Sequence, residues 1–292
     1  MINFEIGFLL NLLHLCTMIT FPNAKINIGL NIIEKRDDGY HNIQSVFYPV
    51  GLGDALEVIE NTEPDAARFT FTSSGIEIPG DATDNLCYFA YHLVSQDYPV
   101  PAVKVHLHKH IPIGAGLGGG SADAAFFIKL LNDKFELGIS WGEMHHYARQ
   151  LGSDCSFFVS NKPSFAEGRG DEYESMKLDL SKYYVVLVYP NIHINTAKAY
   201  SGVKPKQPSR SLGDDILNLP LEQWKDCVHN DFEDSVFPQF PELKKIKEKL
   251  YSKGAIYSAM SGSGSTVFGI FEKATNLKSE FDGCFVFEGK LG

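Results

Sequence analysis

At 292 residues and 44% hydrophobic composition, the chain can bury a large core, as one large domain or two intimately packed ones, and is too apolar to be disordered. Its 26 Lys and Arg against 36 Asp and Glu leave a net charge of −10, which excludes a nucleic-acid partner held by a general basic surface; an anionic substrate would need locally focused positive charge. The five cysteines, Cys16, Cys87, Cys155, Cys227 and Cys284, are odd in number and scattered without C-x-x-C spacing, so they read as reduced cytoplasmic thiols rather than disulfides, zinc ligands or iron–sulfur ligands.

The first seventeen residues carry a short apolar run, but they lack a basic leader, include Glu5 and are too short for a membrane span, so no signal peptide or membrane anchor is expected. From Ala24 to Ile33 apolar character alternates, with Ile26, Ile28, Leu30 and Ile32 on one face and Lys25 and Asn27 on the other. That predicts an early strand presenting polar groups. Further strands are predicted over Gln44 to Val50, Asp54 to Ile59, Arg68 to Thr72 and Val103 to His110. His106, His108 and His110 alternate along the last of these; without a carboxylate or cysteine beside them in sequence they predict a polar sheet face, not a metal site.

Residues 112 to 125 follow as Pro-Ile-Gly-Ala-Gly-Leu-Gly-Gly-Gly-Ser-Ala-Asp-Ala-Ala, with five glycines in seven positions between a strand and a helix expected from about Ser121 to Leu131. Glycines without Cβ let backbone N–H groups converge on an anion, and the helix start at Ser121 adds positive potential, so a phosphate is expected here. A Walker loop is excluded because Gly120 stands where a lysine must reach the phosphates. Gly114, Gly116 and Gly119 fit G-x-G-x-x-G, and Asp133 or Glu136 lies near the place of a ribose-binding acid. Yet Ser140 to Gly152 reads as a second helix ending at glycine, not as the next strand of a dinucleotide-binding unit.

Strands followed by two helices give an α+β class with a mostly antiparallel sheet. A break falls over Glu167 to Lys182, after which Tyr184 to Tyr189 is an apolar strand and a second half begins. Ser201 to Pro208 reads as an exposed loop, Glu222 to Asp226 and Glu242 to Ser252 as helices, and Ala255 to Phe271 as two strands around a turn of small residues. That turn, Ser261 to Thr266, fits both an ordinary hairpin and a backbone approach to a ligand.

The segment Pro112-Ile113-Gly114-Ala115-Gly116-Leu117-Gly118-Gly119-Gly120-Ser121-Ala122 resembles the phosphate loop of the GHMP kinases, a superfamily that includes galactokinase, homoserine kinase and mevalonate kinase. The resemblance implies two domains, 18–178 and 179–292, the first like domain 2 of ribosomal protein S5 and the second ferredoxin-like, with the active site in the cleft between them. It implies ATP and Mg²⁺ as cofactors, the metal arriving as Mg-ATP near Ser121, and the turn at Ser261 facing the phosphate loop. Asp154, in Leu151-Gly152-Ser153-Asp154, matches the superfamily's catalytic base, and Lys25, in Ala24-Lys25-Ile26-Asn27, its lysine partner. Taken without the resemblance, Asp154 could equally cap a helix and Lys25 lie in solvent. Lys109 and Asn85 are expected to contact the nucleotide. Asp123 fits a role in Mg²⁺ binding or one in favouring the helix N-terminus.

Within the superfamily the chain is most similar, nearly end to end from Met18, to the branch that phosphorylates the 2-hydroxyl of a cytidine diphosphate-linked methylerythritol in the non-mevalonate route to isoprenoid precursors. The matching segments include Arg36-Asp37-Asp38-Gly39-Tyr40-His41, Phe165-Ala166-Glu167-Gly168 and Asn230-Asp231-Phe232-Glu233. In that branch the residues matching Tyr40 and His41 contact cytidine, Tyr200 matches a second stacking aromatic, and Asn27 joins the substrate set; ring and imidazole suit stacking on cytosine and bonding its edge. Because the pattern begins just after it, Met18 is the expected start, with residues 1–17 an extension. Another kinase of the superfamily, of mevalonate or homoserine type, and a non-catalytic nucleotide- or sugar-binding relative are the alternatives.

Overall fold

The computed structural model describes residues 19–63, 65 and 67–292, so the expected start at Met18 and the extension before it lie outside the described residues. In chain order the first elements are β1 (Ile19–Thr20), β2 (Asn23–Lys35), β3 (His41–Gly53), β4 (Ala55–Glu60), β5 (Phe69–Gly75), α1 (Leu86–Asp97) and β6 (Val103–Lys109). Then come α2 (Gly119–Phe135), α3 (Trp141–Leu151), α4 (Cys155–Ser160), β7 (Ser164–Glu167), β8 (Glu172–Ser175), β9 (Tyr184–Tyr189), α5 (Thr196–Ser201) and α6 (Leu212–Asn218). The chain closes with α7 (Trp224–Cys227), α8 (Phe232–Val236), α9 (Pro241–Ser252), β10 (Tyr257–Met260), β11 (Val267–Phe271) and β12 (Phe285–Lys290).

The described residues form two compact units, one of residues 19–23 with Gly53–Ile111 and Gly119–Ser160, the other of Ala24–Leu52, Pro112–Gly118 and Asn161–Gly292. In the first, the sheet runs β1-β4-β6-β5, with β4 antiparallel and β5 parallel to β6. Leu56, Val58, Val105 and Leu107 of this sheet are buried, as are Ala90, Tyr91 and Val94 of α1 and Phe127, Ile128 and Leu131 of α2. Phe69 joins β5 to both helices, its ring 5.4 Å from Tyr91 and 6.2 Å from Phe127. The predicted histidine face is polar, as expected: His106 bonds Thr72 at 2.9 Å and Ser74 at 2.9 Å, and His108 bonds Ser74 at 3.0 Å, hydroxyls of the neighbouring β5.

The second unit holds a sheet of order β2-β3-β7-β8 and another of order β12-β9-β11-β10. The latter is antiparallel throughout, and its sequence order of fourth, first, third, second strand is that of the ferredoxin-like fold. The uninterrupted Val185 to Val188 run fits its interior place, for β9 is paired on both edges and its four valine and leucine side chains are buried. Against this sheet pack Leu243, Ile246 and Leu250 of α9.

The helix at Ser140 forms as its sequence dictates: Ser140 caps α3, its hydroxyl accepting the Glu143 N–H while the Glu143 carboxylate returns to the Ser140 N–H, and Gly152 ends it. Several features differ from the reading of the sequence; β8, for one, lies inside the break expected over Glu167 to Lys182, where it pairs with β7. The polar face expected on β2 is not presented, since Lys25 and Asn27 are 3% and 1% exposed. Helix α1 was not foreseen, although Asn85 is a conventional N-cap whose side chain accepts the Cys87 N–H at 2.9 Å.

Candidate active site

In the second unit a knot of hydrogen bonds forms around Lys25 and Asn27 of β2. The Lys25 ammonium lies 2.5 Å from Asn27 Oδ1 and 3.3 Å from the Gly116 carbonyl, with the Phe47 ring centroid at 4.7 Å. The Asn27 side-chain N–H donates to Ser45 Oγ at 2.9 Å, and Ser45 donates in turn to the Gly29 carbonyl at 2.7 Å. These partners are why two polar groups can be buried on a strand.

The same knot fixes the glycine loop. The Lys25 backbone N–H donates to Leu117 O at 2.9 Å, Thr266 N–H to Ala115 O at 3.1 Å, and Ser261 Oγ to Gly116 O at 2.8 Å. Gly114, Gly116 and Gly118 all have positive φ, at 66°, 80° and 72°. At Gly116 a Cβ would meet the Ser261 carbonyl at 2.1 Å, so this position needs glycine for both conformation and space. The turn from Ser261 to Thr266, which joins the antiparallel β10 and β11, therefore faces the loop.

Gly119, Gly120 and Ser121 open α2 in the first unit. The first N–H groups of a helix have no intrahelical acceptor, so they are available to an anion and carry the positive end of the helix dipole. A Cβ on Gly119 would lie 2.9 Å from Ile111 and 3.0 Å from the Lys109 ammonium, whereas one on Gly120 would meet nothing within 4 Å. Burial pushes the Cys155 thiol up to about 12, against a hydrogen bond with Ser121 that favours the thiolate. Asp154 is half-buried immediately before α4.

Lys109, expected to contact the nucleotide, lies in a buried ion-pair cluster. It is 3% exposed, with its ammonium 2.5 Å from Asp54 Oδ2 and 2.6 Å from Asp123 Oδ2. Burial pushes the Asp123 carboxyl up to about 7; the Lys109 charge opposes this and the Asp54 charge adds to it.

A second feature of the second unit is a pocket of about 560 Å³ lined by Lys35, Tyr40, His41, Arg169, Thr196 and Tyr200, among others. His41 and Tyr200 stack at 4.6 Å with planes 12° apart, and Tyr200 meets Phe232 edge-on at 4.7 Å. Tyr40 is 57% exposed, with the Arg169 guanidinium 5.1 Å from its ring centroid. Burial, then the Lys35 charge, lowers the His41 imidazole below its ordinary value, so at neutral pH it carries one donor and one acceptor.

The second unit thus brings Lys25 and Asn27 together with residues 112–118, and Tyr40, His41 and Tyr200 together in one pocket. The first unit holds Gly119, Gly120, Ser121 and Ala122 at the start of α2, and also Asn85, Lys109 and Asp154. Reading the sequence missed Ser45, Asp54, Lys35 and Arg169. The last follows directly on the Phe165 to Gly168 segment already singled out, which was the available signal.

The family description "GHMP kinases N terminal domain" matches residues 85–162, and "GHMP kinases C terminal" matches residues 215–284. A 4-diphosphocytidyl-2-C-methyl-D-erythritol kinase of Bacteroides fragilis is 52% identical over 275 residues, covering 94% of this chain and all of the relative. The protein of that name from Cytophaga hutchinsonii is 51% identical over 90% of this chain and 98% of its own length. The crystal structure of a 4-(cytidine 5'-diphospho)-2C-methyl-D-erythritol kinase superposes with a TM-score of 0.75 at 27% identity, covering 94% of this chain and all of that one. The Methanococcus jannaschii mevalonate kinase, with a TM-score of 0.70 at 15% identity over 94% of this chain and 98% of its own, shares the fold.

Proposed function

The chain belongs to the GHMP kinase family, and from that premise we propose that it is an ATP-dependent kinase that phosphorylates the 2-hydroxyl of 4-diphosphocytidyl-2-C-methyl-D-erythritol. The products are the 2-phosphate and ADP, and the reaction belongs to the non-mevalonate route to isoprenoid precursors. The observation that carries this reading is the aromatic pocket of Tyr40, His41 and Tyr200 in the unit that also holds the Lys25 knot and residues 112–118.

ATP phosphates are assigned to the loop from Pro112 to Ala122, where positive-φ glycines and the open helix start offer backbone donors. Phosphoryl transfer needs positioning and charge neutralisation rather than covalent help from the protein. Asp154 takes the proton of the 2-hydroxyl as that oxygen bonds the γ-phosphorus and the bond from phosphorus to the β–γ bridging oxygen breaks. Lys25, buried beside the loop, stabilises the charge that spreads over the transferring group. Asn27 holds the Lys25 ammonium, at 2.5 Å, and so orients it. Cytosine stacks on Tyr40 and Tyr200, while neutral His41 bonds its edge.

Mg²⁺ accompanies ATP and neutralises phosphate charge when bound. Ser121, with its hydroxyl at the helix start, suits a place beside it; Asp123 does not, since one oxygen is in an ion pair with an ammonium that would repel a divalent cation. Asn85 belongs to the nucleotide end of the same reading, and Lys109 to the backbone that leads into the loop. The division into portions 18–178 and 179–292 goes with the family matches, which fall one inside each, whereas the compact units interleave along the chain. A cytoplasmic setting goes with it, and among the described residues no helix is long and apolar enough to cross a membrane.

The test is ADP release from purified protein with ATP and the cytidine diphosphate-linked alcohol, with phosphorus NMR locating the new phosphate. A new phosphomonoester at the 2-position supports the reading. ADP release without it, or none at all, defeats it.

A further inference from the structure

Three buried charges meet where the chain enters and leaves the glycine loop. Lys109 closes β6, two residues before Ile111 and three before Pro112; Asp123 lies in the opening turns of α2; Asp54 sits between β3 and β4. Their exposures are 3%, 3% and 1%. Besides the Lys109 ammonium, Asp54 accepts the backbone N–H groups of His110 at 2.6 Å and Ile111 at 2.8 Å, both on Oδ1. One carboxylate therefore holds the backbone just ahead of the loop, and the Lys109 to Asp123 bond at 2.6 Å ties that backbone to the helix just behind it.

Such a cluster is an expensive way to gain stability, because desolvating ions offsets most of their attraction, and apolar replacements of like volume are often as stable. It is also incompletely satisfied, for Asp123 Oδ1 is buried without a hydrogen-bond partner. What it does supply is geometry. Pro112 has no N–H with which to hold the loop entry, and Gly119 lets α2 seat against Ile111 and the Lys109 ammonium, where a Cβ would stand 2.9 and 3.0 Å away.

We propose that Asp54, Lys109 and Asp123 are positioning residues that clamp the two ends of the glycine loop and so set its affinity for nucleotide, with Lys109 acting through the loop and not by touching the nucleotide. This rests on the reading of the loop as the ATP site. Losing one hydrogen bond between the loop and a charged phosphate costs about tenfold or more in affinity, so a loosened clamp has ample leverage.

The experiment is Asp123→Asn, with initial rates over ATP and acceptor concentrations and calorimetry with a non-hydrolysable ATP analogue. The clamp gives a KM for ATP raised at least about tenfold, a matching loss of analogue affinity, and kcat and acceptor KM within about twofold of wild type. Direct contact gives the opposite, because Asp123→Asn removes one of the two counter-charges and leaves the Lys109 ammonium, still paired with Asp54, more attractive to phosphate; unchanged or tighter analogue binding overturns the proposal. Should Asp123→Asn fold poorly, the triple variant Asp54→Asn, Lys109→Met and Asp123→Leu removes all three charges while the amide oxygen at position 54 can still accept the two backbone N–H groups, and a stable fold with weakened analogue binding supports the clamp. Wild-type affinity in that triple variant overturns it. Failure of the wild-type protein itself to bind the analogue overturns the ATP-site reading, and the clamp with it.

Discussion

Gly120 offers a way to disturb the phosphate site while leaving the fold alone. It is exposed, lies in the first turn of α2, has no positive φ, and a Cβ there meets nothing within 4 Å. Replacing glycine by alanine inside a helix gains up to about 1 kcal/mol, less in a first turn, so Gly120→Ala should hold or slightly raise the melting temperature. The space its methyl enters is where phosphate oxygens must approach the helix-start N–H groups, and losing one hydrogen bond to a charged group costs about 1.5–3 kcal/mol. The KM for ATP should therefore rise about 10- to 150-fold, since each 1.4 kcal/mol is tenfold. Differential scanning calorimetry and initial rates at saturating acceptor read the two effects separately. Gly116→Ala is the contrast: a left-handed φ costs about 1–2 kcal/mol for a residue with a Cβ. That Cβ would also stand 2.1 Å from the Ser261 carbonyl, so this variant should lose stability first. Unchanged KM and unchanged melting in Gly120→Ala would refute the placement of phosphate at the helix start.

Asp154→Asn should lower kcat by about 10² to 10⁴ with acceptor affinity mostly kept, as measured by rapid-quench turnover and calorimetry; near-normal turnover removes Asp154 from proton transfer. Tyr40→Ala, at a side chain 57% exposed, should leave melting unchanged and raise the acceptor KM about 5- to 150-fold, the equivalent of about 1–3 kcal/mol of base stacking. An effect on the KM for ATP instead would place Tyr40 elsewhere. The Asp123 carboxyl, raised to about 7 from an unfolded value of about 3.9, binds a proton in the folded chain that the unfolded chain has lost between those values. Its contribution to stability is thus full below about pH 4 and falls as pH rises to about 7. Asp123→Asn should gain on wild type in urea melts as pH goes from 5 to 8, and a pH-independent difference between them would contradict that assignment.

Much of this site was legible because its chemistry is local in sequence. Five glycines in seven positions announce an anion loop, and Gly39-Tyr40-His41 sets an aromatic beside an imidazole on a turn. Ser140, Glu143 and Gly152 announce α3, and Val185 to Val188 an interior strand. What escaped was set by partners distant in the chain. Alternation on β2 placed Lys25 and Asn27 on a polar face, and nothing local discloses that Ser45, Gly116 and Ser261 close over them. Lys109 looked available for the same reason: Asp54, 55 residues earlier, is what removes its charge from solvent. Ordinary residues such as Asp54 acquire meaning only through such long-range contacts, so no motif could have marked them.

The account's central claim is the choice of acceptor. Purified protein given limiting ATP labelled at the γ-phosphorus and an equimolar mixture of 4-diphosphocytidyl-2-C-methyl-D-erythritol, mevalonate and homoserine should send the label to the 2-hydroxyl of the first. Label recovered chiefly in mevalonate phosphate or homoserine phosphate, with the cytidine compound untouched, would contradict it.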